Sequence, residues 1–353
     1  WRAPEVRRRM TGAESVFHLA LRDFHATAGA TFGLHNGWSL PLSYVGVPEE
    51  YEALRGRAVV FDRSDRSRFL IAGTDALDVL KTVFAGHVEE IEEGRAMRTV
   101  SIGDDGNIAD LVLIARTGGI SYFVSGEPGR RTDTSARLRR AVAPGFDVQI
   151  DDRTETTCLL GLAGPAATEV VNNHLSEALP ARLQTLQCAT FEFHGFRTLA
   201  VRTSDTGEDG FEFVLAPAVA QHILETLRDA RVPLAGLQAL EIARVEACIP
   251  GYNPDLEPGL SPAEADLDTL LDVPGGRADR ILAALLIEGS PAPVGTRISI
   301  EGSPAGELRS SVRSPGLNAT IGLGIIDVRH AFPGQGTKIG ESGATVVAKP
   351  FFR

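Results

Sequence analysis

The sequence predicts an α+β protein in which a body of mixed helices and strands is followed by an all-β C-terminal domain. Up to about residue 270, apolar runs at helical spacing alternate with short apolar strands. Beyond VPGG (273–276), the chain changes to short strands with Gly and Pro turns and hardly any helix, as in a small barrel. A chain of 353 residues also exceeds what one hydrophobic core normally serves, so two or three domains are expected.

The first third of the chain contains helices and strands in alternation. Apolar spacing that ends at glycine predicts a helix in AESVFHLALRDFHATAG (13–29), whereas GWSLPLSY (37–44) is expected to be irregular. PEEYEALRGRAVVFD (48–62) predicts a helix that leads into an apolar strand, and RFLIAG (68–73) predicts another strand. TDALDVLKTVFAG (74–86) predicts a helix with Thr74 as its N-cap.

The middle of the chain repeats this alternation. RTVSIGDDGNIADLVLIART (98–117) predicts two strands joined by a turn, and GISYFVSG (119–126) predicts a third strand that pairs with them. A helix is expected in RRTDTSARLRRAV (130–142). CLLGLAGPAATEVVNNHL (158–175) predicts a strand, a Gly-Pro break and a helix.

The remaining elements lead into the C-terminal domain. Strands are predicted in FRTLAVRT and GFEFVLA, and helices in PAVAQHILETLRDA and PLAGLQALEIARVEACIP. The segment GYNPDLEPGLSPAEADL (251–267) is too long for a routine connection. The predicted strands of the C-terminal domain are ALLIEG, TRISIEG, AGELRSSV, TIGLGIID, TKIG and ATVVAKPFF.

Composition and charge argue against several classes of protein. The net charge of −11 argues against nucleic acid as the main partner, because binding to phosphates requires a basic face. No run approaches the roughly 18 apolar residues of a membrane span, so no membrane partner is expected. No signal peptide is visible in a chain that starts at Trp1, and a cytoplasmic protein is expected.

The usual metal and nucleotide motifs are absent from the sequence. The three cysteines are far apart and odd in number, which predicts no disulfide framework. The eight histidines show no metal-ligand spacing, so no metal is expected, and each is better interpreted as a surface or satisfied core residue. GLGIID (322–327) lacks the third glycine and the following helix of a dinucleotide-binding motif.

The segment RTSDTGEDGFEF (202–213) places several acidic residues between two apolar runs. A solvated acidic turn would explain it. The alternative is a ligand-binding loop whose last carboxylate, Glu212, points into a cavity.

Several segments in order resemble the glycine cleavage system T-protein (aminomethyltransferase) family, of which this chain would be a divergent member. FHATAGATFGLHNGWSLPLSY and RGRAVVFDRSDRSRFLIAG resemble the start of that family, and GLAGPAA and TGEDGFEF resemble its central motifs. GLQALEIARVEACIPGYNPDLEPGLSPAEADL resembles its helix-plus-loop segment. GELRSSVRSP and the terminal VVAKPFF fit its C-terminal β domain. The resemblance covers roughly residues 20–353.

The resemblance implies a three-domain cloverleaf around a channel that holds tetrahydrofolate, with a barrel-like C-terminal domain. The expected units are a discontinuous N-terminal domain (15–61 and 142–274), a second α+β domain (62–141) and the barrel (275–353). The implied activity is transfer of a one-carbon unit between a small-molecule substrate and tetrahydrofolate. By the family pattern Glu212 binds the pterin, because one carboxylate can accept two parallel N–H donors. Glu208 and Asp209 are expected to fix the turn through local hydrogen bonds.

The departures from the family pattern fall in the implied folate site. Where the family has paired aspartates, GNIADLVL keeps only Asp110, followed by Leu111. Successive strand residues face opposite sides, so only one of the two can face the channel. Alignment without a gap puts Leu111 at the catalytic position, whereas a one-residue slip restores Asp110, the candidate catalytic residue.

Other departures concern the candidate cofactor-binding residues. Gly126 replaces the family's Asn, and Asp205 replaces the aromatic residue of its GYTGEDG motif. Leu240 replaces an Arg, although Arg244 is kept. The candidate cofactor-binding positions are Glu212, Asp205, Gly126 and Arg244. Because each lost buried hydrogen bond costs about 1–3 kcal/mol, these changes together could weaken folate binding severely.

Three functions remain open from the sequence. The first is a folate-dependent one-carbon transferase that acts on a methylated small molecule, as a monomer or homodimer. The second is an enzyme of the same fold repurposed for folate-independent chemistry in specialised metabolism. The third is a non-enzymatic folate-binding protein like the iron–sulfur assembly branch of the family, against which the lack of a cysteine in TSDTGEDGF argues.

Overall fold

The structure is a computed structural model of the chain. It describes residues 16–175, 182–193, 195–257, 259–273 and 276–352. The predicted domain start at residue 15 and the predicted boundary at 274–275 lie outside the described residues. Within them the strands form three open sheets and one closed barrel. None of the helices in these ranges is long and apolar enough to cross a membrane.

The described chain begins with a three-stranded sheet of order β1-β3-β2. Its elements are β1 (Phe17–His18), α1 (Arg22–Thr27), β2 (Thr31–His35) and β3 (Trp38–Ser43).

Two sequence predictions for this region are wrong. The helix expected over 13–29 is limited to α1 in the described part, because Phe17 and His18 pair instead with β3. The segment expected to be irregular is strand β3. It pairs with β2 through a two-residue turn, Asn36–Gly37, in which both residues have positive φ (48° and 79°). Asn-Gly favours this hairpin turn, so the sequence does contain a local signal for the β2–β3 hairpin.

A five-stranded sheet of order β11-β12-β13-β10-β4 forms the core of the N-terminal unit. Helices α5 and α6 pack against it through the apolar cluster that includes Val171, Ile223 and Leu227. The elements are α2 (Val47–Gly56), β4 (Val59–Asp62), β10 (Cys158–Ala163), α5 (Ala167–His174), β11 (Cys188–Phe193), β12 (Phe196–Val201), β13 (Gly210–Leu215), α6 (Pro217–Asp229) and α7 (Leu237–Glu246).

A second five-stranded sheet, of order β6-β7-β8-β5-β9, packs on two helices. The elements are β5 (Ser67–Ala72), α3 (Ala76–Val83), β6 (Ala96–Ile102), β7 (Ile108–Gly118), β8 (Ser121–Gly126), α4 (Arg131–Arg140) and β9 (Gln149–Asp152), with a 3₁₀ turn at Val88–Glu90. Because β9 pairs with β5, strand pairing keeps the chain in this unit to Asp152, beyond the predicted boundary at 141–142.

The N-cap predicted for α3 is wrong. The residue at that position is Asp75, and no side chain caps the helix. Thr74 lies one residue earlier, where its hydroxyl donates to Asp147 Oδ2 at 3.3 Å. The helix therefore begins after a turn held by Asp147.

The C-terminal domain is a closed six-stranded barrel of order β14-β17-β16-β15-β18-β19, which confirms the predicted β domain. Its strands are β14 (Arg280–Ile287), β15 (Arg297–Ile300), β16 (Ser303–Ser314), β17 (Ala319–Asp327), β18 (Gly336–Ile339) and β19 (Ser342–Val347). The long connection before it contains a turn at Tyr252–Leu256 and the short helix α8 (Asp268–Leu271), and a 3₁₀ turn follows β17 at Val328–His330.

Helix α7 joins the units, because it packs against α2, β3 and β16. At its end the fully buried carboxylate of Glu246 accepts hydrogen bonds from Tyr51 (2.8 Å) and Arg55 (2.5 Å) of α2, and from Ser314 of β16. A buried carboxylate with three donors holds its neighbours in fixed positions. One side of α7 is therefore fixed between the N-terminal unit and the barrel.

Candidate functional site

A cavity of about 250 Å³ lies where the units meet. Its apolar wall comes from strand β7 and from the connection that follows α7. Its polar wall contains four guanidinium groups and four carboxylates. These charged residues are Arg63, Arg66, Arg98, Arg244, Glu127, Asp205, Glu212 and Glu241.

Glu212 lies on the cavity face of strand β13. Its neighbours Phe211 and Phe213 point to the opposite face, into the apolar core. The side chain of Glu212 is only 7% exposed, and its nearest charged partner is Arg66, whose Nη1 lies 3.5 Å from Oε1. No hydrogen bond to this carboxylate forms within the described residues. Burial raises the pKa of Glu212, and Arg66 offsets this only in part.

The loop before Glu212 is fixed by two ion pairs. Asp209 accepts from Arg202 Nε at 2.9 Å and Nη2 at 2.6 Å, which closes the loop on itself. Glu208 accepts from Arg55 of α2 at 2.7 Å. Asp209 thus fixes the turn through a local contact, as expected, whereas the expected local contact of Glu208 is wrong, because its partner Arg55 is distant in sequence.

Asp205 lies in a cluster of arginines. Its carboxylate accepts from Nη2 of Arg66 and from Nη1 of Arg98. Burial opposes ionisation of Asp205, but the two guanidinium groups outweigh burial and hold its pKa well below the usual range. Asp205 therefore neutralises the arginines beside Glu212.

Asp110 and Leu111 face opposite sides of strand β7. Leu111 lines the cavity, and Asp110 does not. The Asp110 carboxylate is fully buried on the other side, where it accepts from the Thr134 hydroxyl of α4 at 2.6 Å and from the Glu127 backbone N–H at 2.9 Å. Leu111 therefore faces the cavity and Asp110 faces away from it, which is the arrangement expected from the alignment without a gap. It does not support direct action of Asp110 on a bound ligand.

Burial changes the acidity of Asp110. It raises the pKa of this carboxyl group to about 7, although the hydrogen bonds from Thr134 and Glu127 act in the opposite direction. The Glu127 side chain lines the cavity and accepts from Arg66 at 2.7 Å. The hydrogen bond from the Glu127 backbone N–H thus links the Asp110 carboxylate to a residue of the cavity wall.

Gly126 provides space for Asp110. A Cβ atom at position 126 would overlap Oδ2 of Asp110 and would lie 2.8 Å from Oγ of Ser67. The two departures from the family pattern are therefore coupled, because the Asp110 side chain occupies the volume that a side chain at 126 would need. Gly126 has no side chain to offer a ligand, so its predicted role in cofactor binding could only involve the backbone.

Arg244 lines the cavity, but its donors are already used. Its guanidinium donates to Glu241, to Asp255, to the Ile249 carbonyl and to the Ser310 hydroxyl, through all three nitrogen atoms. Burial opposes its charge, but Asp255 and Glu241 hold its pKa above the ordinary value. Through these bonds Arg244 links α7 to the chain segment that follows it and to strand β16 of the barrel.

Sequence reasoning missed Arg63, Arg66, Arg98 and Glu127. A signal existed for the first two, since only four residues (63–66) separate β4 from β5, and these strands belong to different sheets. So short a link must lie at the junction between the sheets, and its side chains cannot reach far from that junction.

Metal ligation finds no support in the described parts of the chain. No group of three or more His, Cys, Asp or Glu residues there could hold a metal ion. His25 illustrates the satisfied core histidine expected from the sequence. It is buried between Asp62 Oδ2 at 3.0 Å and the Tyr44 hydroxyl at 2.8 Å.

Known proteins resemble this chain over nearly its whole length. An aminomethyltransferase of Saccharopolyspora erythraea is 30% identical over 358 residues, which cover 94% of this chain and 97% of the relative. One from Streptomyces avermitilis is 29% identical over 364 residues, which cover 95% and 97%. The crystal structure of glycine cleavage system aminomethyltransferase T from Bartonella henselae shares the fold, with a TM-score of 0.86, 24% identity and coverage of 96% of this chain and 98% of that chain.

Matches to two domain families agree with the similarity to aminomethyltransferases. Residues 21–274 match the GCVT N-terminal domain, and residues 280–353 match the glycine cleavage T-protein C-terminal barrel domain. These findings confirm the expected T-protein fold and the expected enzyme of the aminomethyltransferase kind. The chain belongs to the glycine cleavage T-protein family.

Proposed function

We propose that the protein transfers a one-carbon unit between a small-molecule donor and tetrahydrofolate bound in the central cavity. The observation that supports this most directly is the placement of Glu212. Its carboxylate is buried, faces the cavity and accepts no hydrogen bond within the described residues. A buried acceptor without a donor is costly. A ligand with two adjacent N–H donors, such as a pterin, would satisfy it.

The other cavity residues fit a ligand with polar edges and an apolar face. Ser125 lines the cavity, and its buried hydroxyl has no hydrogen-bond partner among the described residues. Leu111 and Leu113 add an apolar surface to the lining of the same cavity. A flat aromatic ring that carries donors on one edge matches this combination.

Each residue then has a definite task. Glu212 accepts the paired N–H donors of the pterin and so fixes its orientation. Leu111 and Leu113 exclude water from one face. Bound there, tetrahydrofolate would supply N5 as the nitrogen that exchanges the one-carbon unit. Glu127 is the carboxylate placed to stabilise positive charge on the donor, because within the described residues its Oε2 accepts one long hydrogen bond, at 3.4 Å from the Tyr252 backbone nitrogen.

In this proposal Asp110 is a positioning residue. It accepts the Glu127 backbone N–H at 2.9 Å and so holds the residue that carries the cavity carboxylate. The family's catalytic carboxylate is thus replaced by one from the end of the neighbouring strand, and Leu111 extends the apolar wall.

The proposal is tested by calorimetric titration of the purified protein with tetrahydrofolate under anaerobic, reducing conditions. We expect saturable binding to the wild type and at least about tenfold weaker binding to Glu212→Gln, because the amide would present its own N–H to a donor. The matched control is Glu208→Gln, in the same loop but paired with Arg55 outside the cavity lining. It should bind like the wild type.

Two results would contradict the proposal. Absence of folate binding by a folded wild-type protein would favour the folate-independent enzyme of the same fold. Equal affinity in the wild type and in Glu212→Gln would remove the assigned role of that carboxylate.

A further inference from the structure

Arg63 is the guanidinium of the cavity whose donors are least used. It lines the cavity and its side chain is 14% exposed. Its side chain makes one polar contact within the described residues, a hydrogen bond of 3.4 Å from Nε to Asp65 Oδ1. Both Nη atoms, with four N–H donors, have no protein acceptor there.

The other cavity arginines differ in this respect. Arg66 donates to Glu127 and Asp205, and Arg98 donates to Asp205 and to the Thr203 hydroxyl. Arg244 is held by Glu241 and by other acceptors. Three of the four cavity carboxylates are therefore hydrogen-bonded to an arginine other than Arg63. The fourth, Glu212, lies against Arg66.

The backbone of Arg63 is fixed in place. Its N–H donates to the Leu159 carbonyl of β10 at 2.8 Å, and its own carbonyl accepts the Arg66 N–H at 3.0 Å. The guanidinium is thus presented to the cavity from a short, doubly anchored link between two sheets. A guanidinium with free Nη groups on a fixed backbone matches the two oxygens of a carboxylate.

We propose that Arg63 binds a carboxylate group of the small-molecule donor, so that the substrates of this protein carry a carboxylate beside the group that gives up the one-carbon unit. The assignment of this ligand as the donor rests on the proposed function. The anion-binding property of Arg63 does not. A carboxylate held by Arg63 would leave the rest of the molecule near Glu127 and Glu241, which suit a cationic centre such as an amine or a sulfonium.

The test uses acetate as the smallest carboxylate probe. Wild-type protein is titrated with sodium acetate by calorimetry at ionic strength held constant with sodium chloride. We expect saturable binding that is weakened at least about tenfold in Arg63→Met. Arg57→Met is the matched control, because it removes an exposed guanidinium outside the cavity lining. It should bind acetate like the wild type.

A conservative variant separates geometry from charge. Arg63→Lys keeps the positive charge but loses the pair of parallel donors, so it should bind acetate with intermediate affinity. It also serves if Arg63→Met does not fold, which circular dichroism would show. The inference is overturned if the wild type shows no saturable acetate binding, or if all the Arg63 variants bind acetate as the wild type does.

A second titration distinguishes this inference from the proposed function. Tetrahydrofolate affinity should be the same, within about threefold, for wild type, for Arg63→Met and for wild type saturated with acetate. If folate does not bind but acetate does, the proposed function is wrong and the anion site stands. If Arg63→Met loses folate affinity and keeps acetate affinity, Arg63 recognises the cofactor and the inference is wrong.

Discussion

Nη1 of Arg66 lies 3.5 Å from Oε1 of Glu212, while Nη2 of the same guanidinium is held by Glu127 and Asp205. Arg66 therefore has its stronger contacts with two other acids and only a long one with Glu212. This division leaves the Glu212 carboxylate able to accept from a ligand. The availability of the Glu212 carboxylate to a ligand thus depends on Asp205, at a position where the family pattern has an aromatic residue.

Replacement of Asp205 by Asn should remove one of the acidic partners of Arg66 and bring its guanidinium closer to the Glu212 carboxylate. The amide cannot neutralise Arg66 and Arg98, so Arg66 is expected to form a close ion pair with Glu212. Loss of one partner of a buried ion pair should lower the free energy of unfolding by about 3 kcal/mol, and folate affinity should fall at least about tenfold. Urea unfolding and folate titration measure the two effects.

A control for Asp205→Asn is available on the surface. Asp151 pairs with Arg153 at 2.6 Å, and both side chains are at least one-third exposed. Asp151→Asn should change the free energy of unfolding by less than about 1 kcal/mol. Unchanged folate affinity in Asp205→Asn would show that Arg66 does not compete for Glu212.

Asp110 should make stability depend on pH. Burial raises its pKa in the folded protein to about 7, above the ordinary 3.8. Between these values the folded protein holds a proton that the unfolded chain has lost, so the free energy of unfolding falls as pH rises, by at most about 1.4 kcal/mol per pH unit. Asp110→Asn cannot ionise and should lack this component. Urea unfolding from pH 4 to pH 8 should show the wild type losing stability relative to the variant.

The same variant separates a positioning role from a catalytic one. Removal of a charge that acts directly on the reacting atoms costs about 10²–10³ in rate. Asn at position 110 can still accept the Glu127 N–H and bond to Thr134, so turnover should fall less than about tenfold. A loss of 10² or more, with intact folding, would return Asp110 to the catalytic machinery.

Gly126 and Asp110 should be coupled energetically. Gly126→Ala places a methyl group against the Asp110 carboxylate and the Ser67 hydroxyl. We expect it to lower the free energy of unfolding by about 1–3 kcal/mol. In an Asp110→Ala background the additional cost should be smaller by about 1 kcal/mol or more, which a double-mutant cycle measures.

A glycine with free space is the control for that cycle. Gly119 is exposed, and a Cβ atom there would contact nothing within 4 Å. Gly119→Ala should change stability by less than about 0.5 kcal/mol in either background. Strictly additive effects of Gly126→Ala and Asp110→Ala would show that the two sites do not share space.

The order of helices and strands was predictable wherever a segment carried a strong local pattern. The strand β4 and the helix α6 are examples, because β4 carries a continuous apolar run that is buried throughout and α6 buries the apolar positions of its helical repeat. Strand β3 contains Pro41, and a proline argues against a central strand. The structure accommodates this proline because, among the described residues, β1 pairs with Trp38 and Ser39 and no strand pairs with Pro41 on that edge.

The site was predictable only in part, for a physical reason. Glu212 could be found because its motif and its alternation with Phe211 and Phe213 are local. The side on which Asp110 lies could not, because that depends on space at Gly126 and on the hydroxyl of Thr134, 24 residues away. The partners of Asp205 come from β6 and from the link after β4, and no local pattern in the sequence joins them.

The sequence assigns Arg244 to the cofactor, whereas the structure shows its donors in use by the protein. Its contacts with Glu241, Asp255 and Ser310 hold α7, the turn at Tyr252–Leu256 and the barrel together. Lys cannot reproduce these bonds, so Arg244→Lys should lower the free energy of unfolding by about 3 kcal/mol. Because the cavity wall itself would loosen, folate and acetate should lose affinity together. Loss of folate affinity alone, with stability and acetate binding unchanged, would instead indicate direct contact between Arg244 and the cofactor.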